Sequence, residues 1–134
     1  MRIVKKVLDS YSLIAFFEGE AGKDKMVEIF QDARDSGRPA LLSVVNWGEI
    51  YYITLREDGR ERADQLAHLI STLPIELIPA DLELARQAAE FKAVKKMSYA
   101  DCFAAALAKL RKAELVTGDK EFRQVEGELK IHWL

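Results

Sequence analysis

Hydrophobic residues along this chain follow two patterns, which are short apolar runs and longer stretches with helical periodicity. The run RIVKKVL ends at Asp9 and is rich in β-branched residues, which predicts a first strand over 2–8. Over 22–36 apolar residues recur at i, i+3, i+4 and i+7, which predicts an amphipathic helix. The same criteria predict the other elements: strands over 40–43, 75–78, 114–117 and 130–133, helices over 10–17, 44–58, 60–71, 81–96 and 99–112, and a short helical turn after Asp119.

The order of these elements indicates the fold class. Strands alternate with helices along the whole chain, and nothing in the sequence resembles a hairpin signal. This alternation predicts an α/β fold with a mostly parallel central sheet flanked by helices. The length of 134 residues fits one domain over 1–134, large enough to bury a core without disulfides or metals.

Composition excludes several kinds of site. Cys102 is the single cysteine, which rules out an internal disulfide and a multi-cysteine metal site. His68 and His132 lie far apart in the sequence, so a histidine-rich zinc site is not expected. Asp9 interrupts the apolar run at the N-terminus, so we expect no signal peptide, and no stretch approaches the length of a bilayer span. We therefore expect a cytoplasmic, soluble protein, whose formal net charge of −2 does not point to nucleic acid.

Two aspartates stand at the carboxyl ends of predicted strands. Asp9 follows the first strand, and Asp119 follows the strand that ends at Thr117. Ligands of α/β sheets bind at this edge, and the Thr117 hydroxyl can hydrogen-bond a carboxylate or a metal-bound water. Gly118 allows the backbone to turn tightly between Thr117 and Asp119. Each aspartate is equally suited to cap the helix that follows it, so both interpretations stay open.

Two further acids lie on predicted helices. Glu49 sits within VVNWGEIYYI, where burial of a carboxylate costs free energy unless it is paired or coordinated. It can alternatively reach solvent at the edge of an amphipathic helix. Asp101 forms a capping box with Ser98, yet at ~100° per residue it lies towards the small apolar face of Ala105 and Ala108. That face predicts close packing and a partly buried carboxylate, which needs a cation.

These four acids together suggest a metal site. Converging carboxylates without Lys, Arg or His partners repel one another unless divalent cations are bound. All-oxygen ligands suit Mg²⁺ or Mn²⁺ rather than zinc. Such a site can activate a water molecule and stabilise the charge that develops on a phosphate. We therefore predict that four carboxylates bind the metal, with Thr117 as their polar partner: Asp9, Glu49, Asp101 and Asp119.

Four segments of the chain resemble a known family. VLDSYSLIAFF, VVNWGEIYYI, MSYADCFAAALAK and LVTGDKEF are similar in order, spacing and local structure to segments of PIN-domain proteins. Within that family the chain most resembles the VapC toxins of bacterial and archaeal toxin–antitoxin pairs, over essentially its full length. The resemblance implies an endoribonuclease that depends on Mg²⁺ or Mn²⁺, hydrolyses RNA phosphodiester bonds and is inhibited by a cognate antitoxin. The family's site residues correspond to Asp9, Glu49, Asp101, Asp119 and Thr117.

The sequence gives less information about contacts with RNA and with protein partners. The basic residues nearest the predicted site serve either RNA binding or ordinary surface solubility: Lys95, Lys96, Lys120 and Arg123. A second group of aromatic residues belongs either to the core or, as the family suggests, to a homodimer contact or an antitoxin groove: Phe16, Phe17, Trp47, Tyr51 and Tyr52.

Other functional classes match the sequence less well. An aspartate-nucleophile phosphatase needs a second aspartate two residues after Asp9, where this chain has Tyr11. A phospho-receiver domain needs paired acids near the first strand, and a dinucleotide-binding fold needs a glycine fingerprint that is missing. A PIN-domain RNA-processing nuclease, or an RNA-binding module without an antitoxin, remains the alternative. Retention of all four acids favours an active nuclease.

Overall fold

The computed structural model describes residues 4–134, and its strands lie within the predicted apolar runs. The first strand is shorter than predicted, because it begins at Lys6 and leaves out Val4 and Lys5. Arg2 and Ile3, which belong to the predicted first strand, are outside the described residues. The five strands are β1 (Lys6–Leu8), β2 (Ala40–Ser43), β3 (Ile75–Ile78), β4 (Glu114–Thr117) and β5 (Ile131–Trp133).

The helices also follow the predicted order, and their ends are set by local capping. Asp9, Ser43, Asp81 and Ser98 each accept a backbone N–H in the first turn of the helix that follows. The helices are α1 (Ser10–Glu18), α2 (Lys23–Ser36), α3 (Val44–Asp58), α4 (Arg60–Thr72), α5 (Leu82–Val94) and α6 (Tyr99–Arg111), with a short 3₁₀ helix at Lys120–Val125. No helix among residues 4–134 combines the length and apolar character that crossing a membrane requires.

The strands form one five-stranded sheet in the order β3-β2-β1-β4-β5. Every neighbouring pair is parallel, which confirms the predicted fold class. Lys6 pairs with Glu114 in the β1–β4 register, and their side chains form an ion pair across the two strands. Because β1 is central and lies between β2 and β4, the residue that follows it is placed at the middle of the carboxyl edge.

Two hydrophobic clusters cover the two faces of the sheet. Successive residues of a strand point to opposite faces, so Val7 belongs to the cluster with α5 and α6, whereas Leu8 belongs to the cluster with α1 and α2. Three of the five aromatic residues predicted for either the core or an interface pack against the second cluster: Phe16, Phe17 and Trp47. The rings of Phe16 and Phe30 meet edge to face, with 5.0 Å between their centroids.

Helix α6 is buried on all sides over most of its length. Residues 102–108 are all buried, and four of them are alanines that allow neighbouring backbone to approach closely. The small apolar face predicted from the sequence is therefore packed against protein and not against water. This packing places the first turn of α6, which carries Asp101, beside the carboxyl edge of the sheet.

Candidate metal centre

Asp9 is a buried carboxylate at the end of the central strand, with a relative exposure of 1%. Its Oδ1 accepts a hydrogen bond from the Ser12 backbone N–H at 2.8 Å, so it does cap α1. Its Oδ2 accepts from the Thr117 hydroxyl at 2.5 Å, which joins the ends of β1 and β4. The capping role and the predicted place at the site therefore coexist in one side chain.

Thr117 connects Asp9 to Asp119. Its hydroxyl oxygen donates to Asp9 and accepts a hydrogen bond from the Asp119 backbone N–H at 3.0 Å. Asp119 in turn caps the 3₁₀ helix, because its Oδ1 accepts from the Glu121 N–H at 2.9 Å. A continuous chain of hydrogen bonds thus sets the orientation of the two aspartates that follow β1 and β4.

Asp101 is one of three carboxylates that lie close together at the candidate site. Its backbone N–H donates to the Ser98 hydroxyl at 3.1 Å, and its carboxylate is partly buried. One carboxylate oxygen from each of Asp101, Asp119 and Glu121 lies within 4.8 Å of the others. Glu121 was not predicted; its position two residues after Asp119, in the first turn of a capped helix, is the signal that could have identified it.

Glu49 lies near this cluster but is not one of its three members. It is partly buried on α3, and its negative charge is the second-largest influence that raises the pKa of Asp101. The structure thus places Glu49 close enough to Asp101 for their charges to interact. Its role as a metal ligand, like the roles of Asp9, Asp101 and Asp119, stays a prediction.

Asn46 holds the segments of the site together, although sequence reasoning did not identify it. It lies one turn before Glu49 on α3 and is fully buried. Its Nδ2 donates to the Ala100 carbonyl at 3.1 Å and to the Ser10 hydroxyl at 3.5 Å, which ties α3 to the first turns of α6 and α1. Its Oδ1 is buried without a hydrogen-bond partner among the described residues. A lone amide within the apolar run VVNWGEIYYI was the available signal.

Burial and neighbouring negative charges raise the pKa of two acids of the site, Asp9 and Asp101. Burial raises the pKa of Asp9 to about 7, against the lowering effect of the hydrogen bonds from Thr117 and Ser12, and the Asp101 charge raises it further. The pKa of Asp101 rises to about 6, first through burial and then through the charge of Glu49, with smaller contributions from Asp119 and Glu121. The hydrogen bond with Ser98 acts in the opposite direction. The metal-free site therefore favours protonation, and a cation would remove this penalty.

The donor chemistry fits a hard divalent cation. The oxygen atoms come from carboxylates, which hard cations prefer, and no histidine or cysteine belongs to the group formed by described residues. Asp101, Asp119 and Glu121 are close enough for one ion to reach all three. Asp9 is not one of the three, and its two carboxylate oxygens accept hydrogen bonds from Ser12 and Thr117.

Basic residues border this cluster on the 3₁₀ helix and on the segment before α6. Lys120 and Arg123 are exposed on the 3₁₀ helix. Gln124 holds Lys96 by accepting from its backbone N–H at 2.9 Å and donating to its carbonyl at 3.2 Å. Lys95 is instead engaged by Glu128 at 3.4 Å. Of the four predicted basic residues, Lys95 is thus paired within the chain.

Replacement of Thr117 by Val is expected to destabilise the protein by about 1–3 kcal/mol, because it leaves buried Asp9 without one donor and Asp119 N–H without its acceptor. Urea denaturation measures the change. The control is Thr54→Val, since Thr54 is also buried but its hydroxyl donates within α3 to the Ile50 carbonyl at 2.8 Å. Equal losses of stability in the two variants would show that the hydroxyl bond between β4 and β1 stabilises the fold no more than a hydroxyl bond within one helix.

A family model described as "PIN domain" matches residues 6–128 of the chain. A comparison with curated proteins finds no significant match. Among solved structures, the chain is similar to DNA-bound VapBC from Salmonella typhimurium, with 20% identity, a TM-score of 0.76 and coverage of 97% of this chain and 98% of that one.

Two other structures show comparable similarity. A toxin–antitoxin complex from Klebsiella pneumoniae has 19% identity and a TM-score of 0.69, with coverage of 97% of this chain and 100% of that one. VapC20 from Mycobacterium tuberculosis, described as a sarcin-ricin loop cleaving toxin, has 16% identity and a TM-score of 0.69, with coverage of 96% and 99%. At these identities the likeness concerns the fold.

Proposed function

Because the chain belongs to the PIN-domain family, we propose that it is a metal-dependent endoribonuclease that hydrolyses RNA phosphodiester bonds. The observation that carries this proposal is the approach of Asp101, Asp119 and Glu121, whose carboxylate oxygens lie within 4.8 Å of one another beside buried Asp9. So many acids at the carboxyl edge of a parallel sheet repel one another unless a cation is bound.

The proposed ligands of Mg²⁺ or Mn²⁺ are Asp9, Asp101 and Asp119, with Glu49 acting directly or through water. Glu121 joins this set because it shares the cluster with Asp101 and Asp119. When bound, the cation supplies Lewis-acid stabilisation of phosphate charge and a more acidic water.

The other residues of the site orient these carboxylates. The Thr117 hydroxyl holds Asp9 and the Asp119 backbone in one arrangement, and the Ser98 hydroxyl holds the first turn of α6. Asn46 keeps α3 in contact with both α1 and α6. Exposed Lys120 beside Asp119 is suited to attract the phosphates of single-stranded RNA to the edge of the cluster.

We further propose that the protein is the toxin of a toxin–antitoxin pair, that it forms a homodimer, and that it is cytoplasmic. Support for an antitoxin comes from the similarity to a toxin–antitoxin complex and to VapBC. A partner surface is suggested where α3 meets α4, because Trp47 and Tyr51 stack there at 5.2 Å between ring centroids and remain partly exposed. Residues 1–134 would then act as one PIN domain.

An RNA-processing nuclease, or an RNA-binding module without an antitoxin, is the alternative within the same family. The genomic neighbourhood separates it from the toxin. A short upstream reading frame that encodes a DNA-binding, antitoxin-like protein favours the toxin, and its absence favours RNA processing.

Cleavage-site mapping on total RNA tests the nuclease proposal. Purified protein with Mg²⁺ or Mn²⁺ is expected to produce discrete new RNA ends, and excess EDTA should remove them. The ends should lack a 2′,3′-cyclic phosphate, because water and not the ribose hydroxyl attacks the phosphorus. Equal cleavage in EDTA, or cyclic phosphate ends, would contradict a metal-dependent hydrolysis.

A further inference from the structure

Tyr11 is an exposed aromatic residue in the first turn of α1, two positions after buried Asp9. Its relative exposure is 41%, although it stands beside the most buried carboxylate of the site. Long side chains on a helix lean towards its N-terminus, which for α1 is the carboxyl edge of the sheet. The ring is therefore directed to the same edge as the carboxylates.

The ring of Tyr11 rests on the backbone of Gly118, between Thr117 and Asp119. A Cβ atom added to Gly118 would lie 2.4 Å from Cε1 of Tyr11, 2.9 Å from Cζ and 3.1 Å from the hydroxyl oxygen. Real Cβ atoms essentially never approach other atoms as closely as the first two distances, so this position of the ring requires a residue without a side chain at position 118. The main chain of the site thus positions this ring.

The other tyrosines have different surroundings. The Tyr51 hydroxyl donates to Asp64 at 2.5 Å, and Arg56 lies over the Tyr52 ring at 5.2 Å. Tyr99 meets Phe103 edge to face at 5.0 Å, within α6. Tyr11 differs from them because its ring lies against the loop that carries Asp119 and still leaves much of its surface to solvent.

We propose that Tyr11 is the stacking platform for one base of a single-stranded RNA, at a nucleotide that flanks the scissile phosphate; this rests on the proposed nuclease function. A phosphate drawn to the carboxylate cluster carries its nucleoside over the adjacent protein surface, where the Tyr11 ring lies. Stacking accepts any base because every base has a π face. The exposed surface of the ring is flat and uncharged, which suits the neutral base and not the phosphate.

Kinetics on an RNA whose cleavage site has been mapped test this role. Tyr11→Leu is expected to raise KM about tenfold, within the range of one lost base–aromatic stack, with a smaller change in kcat. Tyr11→Phe should keep the wild-type KM because it keeps the ring. An RNA with an abasic ribose on one side of the cleaved bond should be bound equally weakly by the wild type and by Tyr11→Leu.

Gly118→Ala provides an independent route to the same effect. The added methyl group must displace the Tyr11 ring, so KM should rise as it does for Tyr11→Leu, and the double variant should show no further increase. Gly127→Ala is the matched control, because nothing lies within 4 Å of a Cβ added there. Thermal melting of each variant shows whether the fold is retained.

The possible outcomes separate this proposal from the nuclease function. If the wild type cleaves RNA and Tyr11→Leu leaves KM within twofold, or raises it equally on the abasic RNA, the stacking role is overturned while the nuclease stands. If no RNA is cleaved, hexauridylate with one 2-aminopurine is titrated with the wild type. If the wild type quenches the 2-aminopurine fluorescence and Tyr11→Leu does not, the result supports stacking by an RNA-binding module. If the wild type does not quench it, or Tyr11→Leu quenches it equally, the stacking role is overturned together with the nuclease function.

Discussion

Replacement of Asp101 by Asn is expected to abolish metal-dependent RNA cleavage while leaving the fold intact. The amide has the same shape but removes one negative charge and one strong oxygen ligand from the group formed with Asp119 and Glu121. The helix start should survive, because the bond to Ser98 uses the Asp101 backbone N–H. Loss of an outer-sphere partner already costs roughly 10–100-fold, so loss of a ligand should cost at least roughly 100-fold.

Asp81→Asn is the matched control for this variant. Asp81 is an exposed N-cap whose Oδ1 accepts from the Leu84 N–H at 2.9 Å, and an asparagine can make the same bond. It begins α5 and does not belong to the carboxylate cluster. Cleavage rates on the mapped RNA and thermal melting curves should show a selective loss for Asp101→Asn. Full activity in that variant would remove Asp101 from the proposed mechanism.

Without metal, the protein is expected to lose stability as pH rises from about 4 to about 7. The Asp9 pKa is about 7 in the folded state, against 3.8 for the ordinary group. Between these values the folded state binds more protons than the unfolded state, so the free energy of unfolding decreases with pH. The pKa of Asp101, raised to about 6, acts in the same direction over the lower part of this range.

The change from Asp9 alone is on the order of 4 kcal/mol, at about 1.4 kcal/mol for each unit of pKa. Urea denaturation in EDTA between pH 4 and pH 8 measures it. Asp9→Asn should flatten the profile and be more stable than the wild type at pH 8, because an amide carries no charge to desolvate. Asp32→Asn, an exposed acid on α2, should follow the wild type.

The same titration predicts how metal affects stability. Carboxylates bind Mg²⁺ or Mn²⁺ in the deprotonated form, so saturating metal should stabilise the wild type more at pH 8 than at pH 5. The additional stabilisation should be lost in Asp9→Asn. A metal-free wild type that becomes more stable from pH 5 to pH 8 would contradict both the burial of Asp9 and its coupling to Asp101.

Much of the fold can be predicted from the sequence because local signals agree with the tertiary structure. Apolar runs mark the strands, and the capping residues set the starts of α1 and α6 within one residue. The end of α5 was predicted less well: the helix stops at Val94 and not at Lys96. Its last residues are redirected by a distant contact, because Gln124 binds the backbone of Lys96 from the 3₁₀ helix.

The candidate site can be predicted only in part, because contacts between distant elements place some of its residues. Asp9, Asp101 and Asp119 could be identified because each stands at a strand end or a helix start, where a local rule applies. Glu121 and Asn46 carry weaker signals, which are a place in the first turn of a capped helix and a lone amide in an apolar run. Their positions in the site depend on contacts with other elements, such as the hydrogen bond from Asn46 to the Ala100 carbonyl at 3.1 Å.

By itself, the sequence determined the alternation of strands and helices, their caps and the kind of residue at each strand end, because these depend on neighbours within a few positions. The tertiary structure decided which of these residues meet. The order β3-β2-β1-β4-β5 places Asp9 next to Thr117, although 108 positions separate them. It also brings Tyr11 onto Gly118. Burial and mutual repulsion, which raise the pKa of Asp9 and Asp101, exist only once the parallel strands have collected these acids at one edge.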